Sequence, residues 1–196
     1  MIALPKVPDR WRLPLTRANR EPAPWAYRLL ARFVHLALGG LVRRGWSGAE
    51  NLPSSGCLVV SNHTSNFDVL SLGEYLIWNG RWPRFLGKAD IWRVPLVGWF
   101  ARQCRQIPVL RNTTHAQDSL IHARAALEAG DCVAIYPEGT ITADPDGWPM
   151  TGRRGAARLA LTTGIPVIPV GQVGADALLG GKRLEFHKLF ALHRRL

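Results

Sequence analysis

Residues 57–78, CLVVSNHTSNFDVLSLGEYLIW, decide the architecture. The run 57–61 is short, apolar and partly β-branched, which suits a buried strand. Ser65 is placed to cap a helix that begins at Asn66 and carries Asp68 at its third position. A strand feeding directly into a helix is the repeating unit of layered α/β domains, and the alternation continues down the chain. Candidate strands at 84–87 and 106–110 flank a short helix over 94–103. Thr114 and Gln117 form a capping box for a helix through 117–129, which Gly130 is placed to end. Residues 132–136 read as a buried strand, 153–163 as a helix closed by Gly164, and 166–173 as a further strand. The spacing predicts a single layered α/β domain over 45–196, with a largely parallel central sheet flanked by helices.

The first 44 residues read differently. Residues 1–24 are rich in Pro and Arg without periodicity, as an extended arm would be. Over 25–42 the polar residues Arg28, Arg32 and His35 recur at i, i+4 and i+7, while Trp25, Leu29, Leu30, Phe33, Val34, Leu36, Leu41 and Val42 fill the remaining circumference. Two readings fit such a wide apolar face. One is a core helix. The other is an amphipathic helix lying in the headgroup layer with its arginines toward anionic lipid. No stretch reaches the roughly 18 apolar residues of a spanning helix, and the N-terminus lacks the apolar centre of a signal peptide. The expected location is the cytosol or the cytosolic face of a membrane, without a transmembrane span.

Composition narrows the partners. A formal net charge of +11 over 196 residues, with a pI near 10.7, attracts nucleic acid, anionic membranes or phosphorylated small molecules. The eight tryptophans favour the membrane, because the indole ring is apolar while its N–H stays wet. No helix-turn-helix, zinc knuckle or aromatic RNA-binding strand is legible, so nucleic acid is not expected as a partner. The three cysteines are too far apart for a metal knuckle, and neither a metal nor a resident cofactor is expected.

His63 and Asp68 are the first candidates for chemistry. On a regular helix, positions five apart lie roughly 140° around the axis and cannot meet. A strand-to-helix turn between them removes that obstacle. The carboxylate could then accept from one ring nitrogen and leave the other free as a general base. The alternative is that Asp68 only caps the helix. No serine or cysteine stands where it could serve as nucleophile, so a base here implies that the substrate brings the hydroxyl. A second segment, 134–142 (AIYPEGTIT), places Glu138-Gly139-Thr140 at a strand end, where ligands of open α/β sheets gather; an ordinary turn is the competing reading. A third, 87–111, sets Lys88, Arg93, Arg102, Arg105 and Arg111 around Trp92, Trp99 and Phe100. That composition fits a substrate with a phosphate head and an acyl tail, or solvated charges around core aromatics.

The order Asn62-His63-x4-Asp68, then Ile107-Pro108-Val109-x-Arg111, then Pro137-Glu138-Gly139-Thr140, then Ile165-Pro166-Val167-Ile168-Pro169-Val170 closely resembles the glycerolipid acyltransferases, above all the 1-acylglycerol-3-phosphate acyltransferases. The resemblance covers about residues 45 to 175. It implies acyl transfer from acyl-CoA or acyl-carrier protein to the free hydroxyl of lysophosphatidic acid, with His63 as base and Asp68 holding its tautomer. It further implies that Arg111 and the Glu138-Gly139-Thr140 loop bind the acceptor. The family often continues Glu-Gly-Thr with Arg-Ser, where this chain has Ile141 and Thr142. Arg153 and Arg154 are candidates to supply the missing phosphate contact, and Lys88 and Arg105 of the basic segment stand beside them as candidate substrate-binding residues. Two rivals stay open: the same chemistry on glycerol 3-phosphate or another lysophospholipid, and a non-catalytic basic module that binds anionic membrane lipid.

Overall fold

The computed structural model describes residues 9–39, 42, 44–110 and 116–179. Five strands, β1 (Cys57–Ser61), β2 (Pro83–Lys88), β3 (Ile107–Val109), β4 (Cys132–Ile135) and β5 (Val167–Val170), form one parallel sheet in the order β3-β2-β4-β1-β5. The helices are α1 (Leu15–Ala18), α2 (Trp25–Gly39), α3 (Asp68–Trp78), α4 (Pro95–Gln103), α5 (Ala116–Glu128), α6 (Gly155–Thr163) and α7 (Asp176–Leu179). The central strands read as continuous apolar runs because both faces of the sheet are covered. Leu58 and Val133 point toward Ala123, Ala126 and Leu127 of α5 and Leu159 of α6. Their strand neighbours Cys57, Val59, Cys132 and Ala134 point the other way, onto Leu72, Tyr75 and Leu76 of α3. The expected single α/β layered domain with a parallel sheet is what the chain forms.

Most elements lie within two residues of their sequence-based bounds, and Gly164 closes α6 in the left-handed region. The capping box at Thr114 lies outside the described residues. The start of α3 differs: it begins at Asp68, with Phe67 as N-cap and without a side-chain cap bond. Ser65 Oγ still accepts the Phe67 N–H at 3.1 Å, but that bond closes the turn before the helix, which starts two residues later than expected. Asp68 therefore occupies the first helical position, and its carboxylate folds back over the turn.

The N-terminal segment also departs from the extended arm. Residues Asp9–Arg12 make a 3-10 turn and α1 follows, because Leu15 and Ala18 bury against Ile77 and Trp78 and the Asn19 amide donates to Ile77 O at 3.0 Å. Helix α2 is tied to the sheet domain by Tyr27, whose hydroxyl donates to Pro83 O at 2.6 Å. His35 does not stand with the arginines in an outward stripe. It turns inward to stack on Trp78 at 3.9 Å and bonds through Nδ1 to Glu74 Oε1 at 2.6 Å, where Arg44 also grips the same carboxylate through two nitrogens. The face left outward carries Trp25, Leu29, Phe33 and Leu36, with Arg28 and Arg32 exposed among them. No described helix is long and apolar enough to cross a membrane.

Candidate active site

Strands β1 and β4 are neighbours and parallel, so the segments that leave their carboxyl ends emerge at the same edge of the sheet. Those segments are Asn62–Asp68 and Tyr136–Thr140, the two motifs singled out above. His63 Nδ1 lies 2.9 Å from Asp68 Oδ2. The same oxygen accepts the backbone N–H groups of Thr64 at 2.6 Å and Ser65 at 2.9 Å, while the Thr64 hydroxyl reaches Oδ1 at 3.3 Å. Asp68 is fully buried, and this ring of donors replaces the water that an ionised carboxylate would otherwise need. A carboxylate that only accepts makes Nδ1 the protonated nitrogen of His63, which leaves the Nε2 lone pair free for a substrate proton. The obstacle of i, i+5 spacing is removed because residues 63–67 are turn, not helix.

The Pro137–Thr140 loop holds that turn in place. Glu138 was expected to bind substrate. Its carboxylate is buried and spent on the protein itself: Oε1 accepts the His63 N–H and Oε2 the Met150 N–H, each at 3.0 Å. A buried acidic side chain that bridges two backbone donors is a strut between loops, and only a fold that brings 63, 138 and 150 together can reveal it. The Thr142 N–H donates to His63 O at 2.7 Å, a second tie between the same segments. Gly139 has φ of 70°, which favours glycine, and a Cβ there would press on the Arg153 side chain 3.0 Å away.

In front of His63 opens a cavity of about 710 Å³, lined by Val69, Phe85, Trp92, Ile135 and Ile141 among others, with Gly139, Thr140, Lys88 and Arg153 at its polar parts. Lys88 pairs with Asp90 at 2.5 Å. Arg153 makes no ion pair or side-chain hydrogen bond with a described residue. Arg154 is exposed at the start of α6 and is not among the lining residues. Arg105 is displaced further. It precedes β3, at the opposite end of the sheet from His63, and its guanidinium faces Asp131 at 3.6 Å. A basic residue before a parallel strand points to the wrong edge, which the sequence could not show before the register was known. Arg111 lies outside the described residues. No group of three His, Cys, Asp or Glu side chains suited to hold a metal occurs among the described residues.

Sequence reasoning passed over Tyr136, whose ring stacks on His63 with centroids 4.1 Å apart and planes 17° apart. It also gave no role to Gln172, although Asn62 and Gln172 exchange a pair of bonds, Asn62 Nδ2 to Gln172 O at 2.8 Å and Gln172 N to Asn62 Oδ1 at 2.7 Å. These lie 110 residues apart, and no local pattern links them.

A parallel α/β sheet with a carboxylate-held histidine at its carboxyl edge, facing an apolar cavity, is an arrangement suited to general-base chemistry on a hydroxyl that arrives with the substrate. A family model described as Acyltransferase matches residues 43–173, and the chain belongs to that family. It is 33% identical over 138 residues to the chloroplastic 1-acyl-sn-glycerol-3-phosphate acyltransferase BAT2 of Brassica napus, a match covering 67% of this chain and 38% of that protein. It is 28% identical over 129 residues to the 1-acyl-sn-glycerol-3-phosphate acyltransferase of Pseudomonas aeruginosa, covering 63% of this chain and 46% of that one. A lyso-ornithine lipid O-acyltransferase of the same organism is 33% identical over 120 residues, covering 60% and 43%. The chain thus spans less than half the length of each of these relatives. Among solved structures, the 1-acyl-sn-glycerophosphate acyltransferase PlsC of Thermotoga maritima is similar with a TM-score of 0.66 and 26% identity, over 80% of this chain and 61% of that one.

Proposed function

We propose that the protein transfers a fatty acyl group from a thioester, acyl-CoA or acyl-carrier protein, to the free hydroxyl of 1-acylglycerol 3-phosphate, giving phosphatidic acid. The observation that carries the reading is the 2.9 Å contact between His63 Nδ1 and the buried Asp68 at the mouth of the apolar cavity. In the reaction, His63 Nε2 takes the acceptor's hydroxyl proton as its oxygen attacks the thioester carbonyl. The tetrahedral intermediate collapses with loss of the thiolate, which takes the proton from the imidazolium, and the base is regenerated. Backbone N–H groups at the cavity mouth serve the oxyanion. The strongly basic surface favours both donors, since each is a polyanion. The test is thioester-dependent transfer by the purified protein, with products identified by lipid mass spectrometry; binding of lipid without transfer would leave only a membrane module.

Arg153 is our candidate for the acceptor phosphate, because it lines the cavity against Gly139 and its guanidinium makes no ion pair with a described residue. Arg111 keeps the role the family resemblance implies. Replacing Arg153 by Ala should raise the acceptor KM about tenfold, worth about 1.4 kcal/mol, with the donor KM changed little. Arg153→Lys should recover only part, since an ammonium cannot grip two phosphate oxygens as a planar fork does. A rise confined to the donor KM would reassign Arg153 to the thioester carrier. A second acceptor class has one observation in its favour: Ile141, buried in the cavity wall, stands where the family often has a phosphate-binding Arg. A panel of lysolipids with and without phosphate separates the two.

We place the protein on the cytosolic face of a membrane as a peripheral enzyme. Trp25, Phe33 and Leu36 of α2 are 67%, 69% and 77% exposed, and Trp25 lies 6.0 Å from Trp99, which continues the patch onto Leu96 and Val97 of α4. Apolar area of this extent, flanked by Arg28 and Arg32, suits a bilayer interface with anionic headgroups. Because α1 and α2 also build core, surface substitutions test this better than deletion. The pair Phe33→Ser and Leu36→Ser should weaken liposome partitioning by about tenfold or more, while added salt weakens the wild type only in part. Partitioning unchanged by the pair would move the contact to α4.

A further inference from the structure

Three restraints act on the His63 ring, and two of them leave it free to turn. The backbone N–H is held by Glu138, and Nδ1 by Asp68. A single hydrogen bond fixes the direction of one N–H, but the imidazole can still rock about that bond and swing Nε2 out of line with an incoming hydroxyl. The third restraint is a surface. Tyr136 lies face to face with the ring at 4.1 Å and 17°, and Phe85 lies behind it, 6.3 Å away with planes 13° apart. Phe85 is itself locked in β2, where it registers with Ala134 of β4. The base thus rests against two near-parallel aromatic rings, one in β2 and one just past the end of β4.

We propose that Tyr136 is a positioning residue for acyl transfer, its ring face holding the His63 imidazole in the plane from which Nε2 takes the acceptor's proton and favouring the imidazolium that forms. This rests on His63 being the base, as proposed above. A cation over an aromatic face is attracted by the ring quadrupole, so the contact strengthens as the imidazole gains its proton, at the moment when it lowers the barrier.

The hydroxyl is not the source of the effect. It is buried against the Gln172 side chain, and neither it nor Gln172 Oε1 reaches full hydrogen-bond geometry among the described residues. Gln172 Nε2 is turned instead toward Ser61 Oγ at 3.0 Å. Burial first, then the nearby Asp68 charge, push the phenol far above its ordinary range, with the Gln172 side chain opposing, so it stays neutral beside the carboxylate at any working pH. A Phe at this position keeps the ring and removes only the hydroxyl, which separates the contribution of the ring face from that of the O–H.

The test uses the full chain with Tyr136→Phe, Tyr136→Leu, Tyr136→Met and His63→Ala, assayed with a thioester donor and lysophosphatidic acid, and watched by the Nδ1–H proton resonance in protein labelled with ¹⁵N-histidine. His63→Ala identifies that resonance by its disappearance. The expected result is a fall in kcat of roughly tenfold in Tyr136→Leu with both KM values within about twofold of wild type, and an Nδ1–H signal that broadens or is lost. Tyr136→Phe should restore kcat to within about threefold together with a sharp signal. Tyr136→Met fills the same volume with a flexible chain and no ring, so it should behave as Leu does even if Leu compromises folding. Wild-type kcat and a sharp signal in a folded Leu or Met variant would overturn the proposal. So would a Phe variant as damaged as Leu, or a rise confined to KM, which would make Tyr136 a wall of the cavity only. Full turnover in His63→Ala would overturn the base assignment instead, and the resonance would still report whether the ring holds the imidazole.

Discussion

His63→Ala should lower kcat by about 10² to 10⁴ while the protein keeps its fold. That is the range a positioned general base supplies, and among the described residues no other histidine and no carboxylate lines the cavity. The alternative carboxylates are engaged: Asp68 by His63, Thr64 and Ser65, and Glu138 by two backbone donors. The cysteines are all buried. The His63 side chain carries little packing, since its partners are Asp68 and the Tyr136 face, so the melting temperature should move little. The measurement is steady-state transfer from thioester to lysophosphatidic acid beside circular dichroism. Near-normal turnover in a folded His63→Ala protein would remove the mechanism, and with it the strongest reason to read the cavity as catalytic.

Asp68→Asn lowers kcat by about 10² to 10⁴ as well, through a different cause, and with a cost in stability of about 1–3 kcal/mol. An amide offers one acceptor oxygen and two N–H donors in a place where the Thr64 N–H, the Ser65 N–H and the His63 Nδ1–H all need an acceptor. Some donor is then orphaned in a fully buried site. If the amide nitrogen faces His63, the imidazole adopts the tautomer with Nδ1 unprotonated, and Nε2 then carries a hydrogen and cannot accept one. Acceptor KM should stay within about threefold, because Asp68 does not line the cavity. A variant with high turnover and raised KM would show that Asp68 shapes the pocket and does not direct the base.

The strand–turn–helix over 57–78, the alternation of strands with helices, and the motif order were all legible in the chain, since each depends on periodicity or on residues close in sequence. The His63–Asp68 pairing belongs here too, as its geometry needs only a turn of five residues. The errors have a common origin. Arg105 looked like a cavity residue because it lies near Lys88 and Arg111 in sequence, but the parallel register puts it at the amino edge of the sheet. Glu138 looked like a ligand because it sits in a loop at a strand end, but the loop needed an acceptor for backbone donors from 63 and 150. His35 fell on the polar stripe of α2 by spacing, and a buried carboxylate on α3 drew it inward.

What the sequence alone determined was therefore the local grammar: which segments are strands and helices, that the sheet is parallel, and which histidine and aspartate can meet. The tertiary structure decided which side chains converge at one edge of that sheet. Residues on adjacent strand ends, such as His63 and Tyr136, are brought within van der Waals contact by hydrogen-bonded register between β1 and β4, segments more than 70 residues apart. Such register is set by the packing of both sheet faces at once, a property of the whole core and not of any stretch within it.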